Sequence, residues 1–190
     1  MTPRRRRSPP APRPKSLRET LAYRNDQVVY KFMERYRLTL REAREIFTET
    51  LRWMWLCARA ESEPTAPKPL TLIGLQPMSI IDEMWHTFVL FTPVYEAFCQ
   101  RYLGFFLHHM PSTREGQKRE AALRRADPEG HARQVQEKLR AELAFVGQEL
   151  GPATLRKWFT TYGRKYTPER MDRLRLPHMA RARSLEARKR

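Results

Sequence analysis

The sequence predicts an all-α protein: a compact helical bundle of about five to six helices between basic termini expected to be disordered. Three observations lead there. Apolar residues recur at helical spacing in several separate windows, residues that start and stop helices bracket those windows, and no alternating strand pattern of useful length occurs. With 190 residues, the chain is long enough to bury one core without disulfide staples.

Residues 1–15, MTPRRRRSPPAPRPK, contain five prolines and no apolar periodicity, which predicts a disordered basic arm. A single helical domain is expected over 16–163 and a basic, partly helical tail over 164–190. Ser16-Leu-Arg-Glu19 and Thr39-Leu-Arg-Glu42 both fit the capping box, in which hydroxyl and carboxylate satisfy two orphan helix donors. After the first, Val28, Val29, Phe32, Met33 and Tyr36 share a face. After the second, Ala43, Ile46, Phe47, Thr50, Leu51 and Met54 do.

ESEPTAPKP, residues 61–69, reads as a surface linker, because three prolines in that stretch remove backbone donors. Ser79 is expected to cap a third helix with Asp82 at its positive end. Thr92-Pro93 ends that helix and opens a fourth, Gly104 closes the fourth, and FFLHHMP leaves in an extended form. REGQKREAALRRADPEG predicts a short exposed helix stopped at Asp127-Pro128. Val135, Leu139, Leu143, Val146 and Leu150 mark another helix, ending at Gly151-Pro152. Leu155, Trp158, Phe159 and Tyr162 mark a last one, ending at Gly163.

The net charge of +16 sits mainly at the two ends. Residues 1–20 hold seven Lys or Arg against Glu19, and residues 163–190 hold ten against Glu169, Asp172 and Glu186. Such ends, with Arg4, Arg5, Arg6 and Arg7 foremost, suit weak electrostatic binding of nucleic acid or other polyanions. The bland reading is a solvated tail in an Arg-rich composition, since Arg outnumbers Lys 29 to 8. Two cysteines make no disulfide framework and no secretory leader is legible, so a reduced, cytoplasmic protein is expected. No apolar run approaches the roughly 20 residues of a membrane span.

The chemistry concentrates in IDEMWHTFVLFTPVYEAFCQRYLGFFLHHMP, residues 81–111. Asp82 and His86 share a helix face at four-residue spacing. In an antiparallel hairpin about Thr92, His86 and Cys99 would sit level, and the chain returning after Gly104 would bring His108 or His109 past them. Thiolate and imidazole suit Zn²⁺, with Fe²⁺ or Cu also compatible. Asp82 would be a fourth ligand or the acceptor that fixes the tautomer of His86. Adjacent residues of an extended segment point oppositely, so His108 and His109 are not both expected on one ion. The alternatives are a buried helical core with no site, or a Cys99 nucleophile activated by His86. Cys57 is read as core, and His131 and His178 as surface.

Asp82-x-x-Trp85-His86, followed by Thr87, Leu90, Tyr95, Cys99, Gly104 and His108-His109, resembles the glycine-rich domain-containing protein-like family over about residues 79–111. The resemblance implies that these polar residues form one constellation, with Trp85 and Tyr95 as its support. It implies no particular reaction. The family's glycine-rich region has no counterpart among the seven glycines here. The expectation is therefore a small helical protein with a His/Cys metal site for Zn or Fe, enzymatic or structural. The competing expectation is a basic, nucleic-acid-associated or adaptor protein in which the cluster is core.

Overall fold

The computed structural model describes residues 13–177, which hold helices and no strand. The all-α expectation holds, with more helices than the five or six anticipated. The extra ones arise where single periodic windows break into shorter pieces. Ser16 does form its capping box with Glu19, but α1 covers only Leu17–Leu21. Arg24 then donates to the carbonyls of Leu21 and Tyr23, and Asn25 caps a separate α2, Asp26–Met33, by accepting from the Val28 amide.

The second capping box, Thr39 with Glu42, starts α3, Leu40–Ser62. This helix is buried on more than its predicted face: Trp53, Trp55, Leu56 and Ala58 join Ile46, Leu51 and Met54 in the core. A helix apolar around most of its circumference belongs at the centre, and α1, α2 and the later helices Ser79–Val89 and Pro128–Leu150 pack against it. Its buried Glu49 is compensated by Lys157 Nζ at 2.9 Å, Trp158 Nε1 at 2.8 Å and Arg52 Nε at 3.1 Å.

After the proline-rich linker, two 3₁₀ turns, Leu72–Gly74 and Gln76–Met78, lead into α4, Ser79–Val89. The preceding turn displaces Ser79 from the capping role, and Met78 occupies the cap position without a side-chain hydrogen bond. The fully buried Glu142 carboxylate anchors these turns, accepting from the amides of Thr71 at 2.8 Å and Leu72 at 3.0 Å and from the Thr71 hydroxyl at 2.7 Å.

Helix α5, Thr92–Phe98, has Pro93 in its first turn and runs into a π-helical turn, Cys99–Leu103. Gly104, at φ 87°, closes it, and its amide donates to the Cys99 carbonyl at 3.0 Å. The segment 105–113 carries no helix or strand. Helix α6, Arg114–Ala126, buries no residue, and Asp127 caps α7, Pro128–Leu150. Val135, expected on the buried stripe of α7, is exposed because the first half of that helix lies beyond the body. His131, expected at the surface, is largely covered, its Nε2 lying 2.6 Å from Glu120 and tying α7 to α6.

The chain continues through α8, Pro152–Leu155, a π-helical stretch Arg156–Tyr162 and α9, Gly163–Lys165. Gly163 keeps helical angles, so the helix runs past the predicted stop. Tyr166, and Met171 of α10, Pro168–Leu174, are buried, so this part of the expected C-terminal tail is packed on the body. Tyr36 and Arg175 form an isolated antiparallel bridge, flanked by the Arg37 amide on Leu174 and the Leu176 amide on Arg35. No helix among the described residues is long and apolar enough to cross a membrane.

Candidate metal centre

Helix α4 buries Ile80, Ile81, Met84, Trp85, Thr87 and Phe88 and leaves Asp82 and His86 on its outer side. The four-residue spacing puts His86 Nδ1 3.8 Å from Asp82 Oδ2. The segment after Gly104 returns along the same face and delivers His109, whose Nε2 is 3.2 Å from Asp82 Oδ1. One ligand atom from each of Asp82, His86 and His109 thus lies within 4.8 Å of the other two.

His109 is held from both sides. Its ring is parallel to the Trp85 indole, with centroids 4.0 Å apart and planes 4° apart, and stacks on His86 at 4.6 Å and 23°. Trp85 is fixed in turn: its Nε1 donates to the Tyr95 hydroxyl at 3.0 Å, which donates to the Leu107 carbonyl at 2.6 Å. Burial raises the Tyr95 pKa above the ordinary phenol value and keeps that hydroxyl a donor. The chain therefore enters the His109 segment through a carbonyl clamped by α5, with the ring set by α4.

His109 Nε2 is buried without a hydrogen-bond partner, because its approach to Asp82 lacks the required alignment. Ligands on a tetrahedral ion with bonds of about 2.0–2.2 Å stand roughly 3.3–3.6 Å apart. The Asp82 contacts are already close to that. An imidazole donates through a lone pair in its ring plane, so two nearly parallel rings converge on one ion only if one turns. His86, 47 % exposed, has that freedom, whereas His109 is clamped.

Cys99 does not join this group. It is fully buried on the π-helical turn, its thiol touching the Leu107 backbone and the Tyr95 hydroxyl. Burial raises its pKa, which favours the neutral thiol over the thiolate that a ligand or nucleophile needs. The anticipated levelling of His86 with Cys99 considered height along the hairpin alone, whereas His86 lies on the exposed side of α4 and Cys99 is turned into the core. His108 points away from the group and packs edge-on against Phe106 at 4.9 Å, as alternation along an extended segment requires. Cys57 is partly buried against the core. Arg4, Arg5, Arg6, Arg7 and His178 lie outside the described residues.

Beside the group lies a cleft of about 570 Å³ lined by Lys31, Glu34, Arg35, His86, Val89, Leu90, His109 and Pro111. Arg35 is held by Glu83 at 2.9 Å and by the Thr87 hydroxyl at 2.9 Å, while Arg175 reaches the other oxygen of Glu83 at 2.8 Å. Sequence reasoning missed this wall, since Arg35, Glu83 and Arg175 are far apart along the chain and no spacing links them.

The UCP032817-like family model matches residues 25–127, more than half of the chain. The chain belongs to the UCP032817-like family. This corrects the resemblance to the glycine-rich domain-containing protein-like family, which rested on a short motif in residues 79–111, whereas the family match takes in α2 through α6. No curated protein and no solved structure matches the chain. Asp82, His86, His109 and every residue lining the cleft fall inside the UCP032817-like span.

Proposed function

We propose that the protein binds a divalent transition-metal ion, Zn²⁺ or Fe²⁺, through Asp82, His86 and His109. The observation that carries this is the convergence of one ligand atom each from Asp82, His86 and His109, the His109 nitrogen buried and making no aligned hydrogen bond. Two imidazoles and one carboxylate form a harder donor set than the thiolate-containing one the sequence suggested. Such a set suits open zinc sites and facial Fe²⁺ sites, which keep positions for water or substrate. The adjoining cleft reaches His86 and His109 and supports the open form over a closed structural one. When bound, the ion would supply Lewis acidity or a water of lowered pKa. His109 would provide the rigid ligand, Asp82 the charge, and His86 the ligand that swings into place.

The test is elemental analysis of the purified protein beside His86→Ala and His109→Ala variants. Near-stoichiometric zinc or iron in the unaltered protein, lost in both variants, is expected. Sub-stoichiometric metal that both variants retain unchanged overturns the proposal.

A further inference from the structure

The cleft beside the metal group has two chemically distinct walls. Lys31 and Arg35 stand on one side with Glu34, so cations outnumber acids, and Lys31 Nζ is 2.6 Å from the Glu34 carboxylate. Arg35 is the more significant cation. Its side chain is 20 % exposed, and its partner Glu83 divides its charge between Arg35 and Arg175. Glu83 also lies one residue from Asp82 and three from His86, so this cationic wall adjoins the metal group directly. The other wall is Val89, Leu90 and Pro111, and Leu90 is 70 % exposed without an evident solubility role. At about 570 Å³ the cleft is within the range of about 300–1,000 Å³ typical of small-molecule sites.

We infer that this cleft takes a small organic acid: a carboxylate head placed between the metal group and Arg35 with Lys31, and an apolar body laid on Val89, Leu90 and Pro111. This rests on the metal reading for one of the head's partners. An acid fits better than a neutral molecule because of the ion: Lys31 is offset by Glu34, and Arg35 with Arg175 by Glu83 and Asp82, so a divalent ion gives this end of the cleft its excess positive charge. An apolar body fits better than a sugar or a nucleotide, because the wall opposite the cations offers no hydrogen-bonding side chain.

The experiment titrates the full chain by calorimetry, first with Zn²⁺ and then, in metal-free and zinc-loaded forms, with octanoate, octanamide and acetate. Octanoate should bind the zinc-loaded protein at least about tenfold more tightly than octanamide, as loss of a charge-assisted contact implies. It should also exceed acetate, which lacks the apolar body. Lys31→Gln and Leu90→Ser alter exposed side chains, so the fold is kept, and each should weaken octanoate several-fold. Equal binding of octanoate and octanamide overturns the acid head, and equal binding of octanoate and acetate overturns the apolar wall. Zinc binding with no octanoate binding overturns this inference and leaves the metal reading intact. Octanoate preference in a protein that takes no zinc overturns the metal reading and, with it, the ion as the head's partner.

Discussion

The ring of His109 lies parallel to the indole of Trp85, 4.0 Å away and within 4° of its plane. This stack orients the less mobile of two histidines, and the Trp85–Tyr95–Leu107 hydrogen-bond chain supports it from below. The two histidines thus meet at the junction of α4, α5 and the return after Gly104, with one ring held by packing and the other at the surface.

Tyr95→Phe tests that support. The substitution keeps the ring packed against Phe88 and Phe106 and removes only the hydroxyl. Trp85 Nε1 and the Leu107 carbonyl then lose their shared partner, at a cost of about 1–3 kcal/mol. Urea denaturation should record that loss. Zinc affinity should fall by about 10–100-fold, the range for removing a group that orients a ligand. Unchanged affinity in a folded variant would show that the hydroxyl does not position His109.

Glu142→Leu tests the anchor beneath α4. Without the carboxylate, two amides and a hydroxyl of residues 71 and 72 lose their acceptor in a buried place. A loss of about 2–4 kcal/mol is expected from more than one unsatisfied donor. Chemical denaturation measures it. A loss below about 0.5 kcal/mol, the size of an ordinary surface change, would mean the turns are held by other contacts.

Glu42 provides a pH-dependent contribution at the start of α3. The Lys165 ammonium, then the Thr39 amide of the capping box, hold its pKa at about 2, below the ordinary 4.5. A depressed folded-state pKa means the native state resists protonation, so the stabilisation is fully present above pH 4.5 and declines as pH falls toward about 2. Glu42→Gln should therefore be less stable than the parent at neutral pH, and the difference should shrink between pH 4.5 and 2. A difference that stays constant across that window would contradict the ion pair.

The all-helical class, the two capping boxes, the Thr92-Pro93 start and the Gly104 stop were legible because each depends on neighbours in sequence. The break at residues 22–25 was not, because the apolar spacing continues across it while Asn25 and Arg24 satisfy backbone groups locally. Asp82 and His86 share a face by helical spacing alone, and the opposed directions of His108 and His109 follow from extended geometry. Which of the two histidines faced inward was set by the Trp85 stack, a tertiary contact with no sequence signature. Cys99 was drawn into the expected ligand set because spacing gives its height along the hairpin and not that its helix turns it into the core. The cationic wall of the cleft depends on Arg35, Glu83 and Arg175 meeting across the fold.

The most direct test of the central claim is calorimetric titration of Zn²⁺ into the unaltered protein and into His109→Ala, His108→Ala and Cys99→Ala variants. Binding of one ion per chain is predicted, abolished in His109→Ala and retained in the other two. Retention in His109→Ala together with loss in Cys99→Ala would contradict the Asp82, His86 and His109 site.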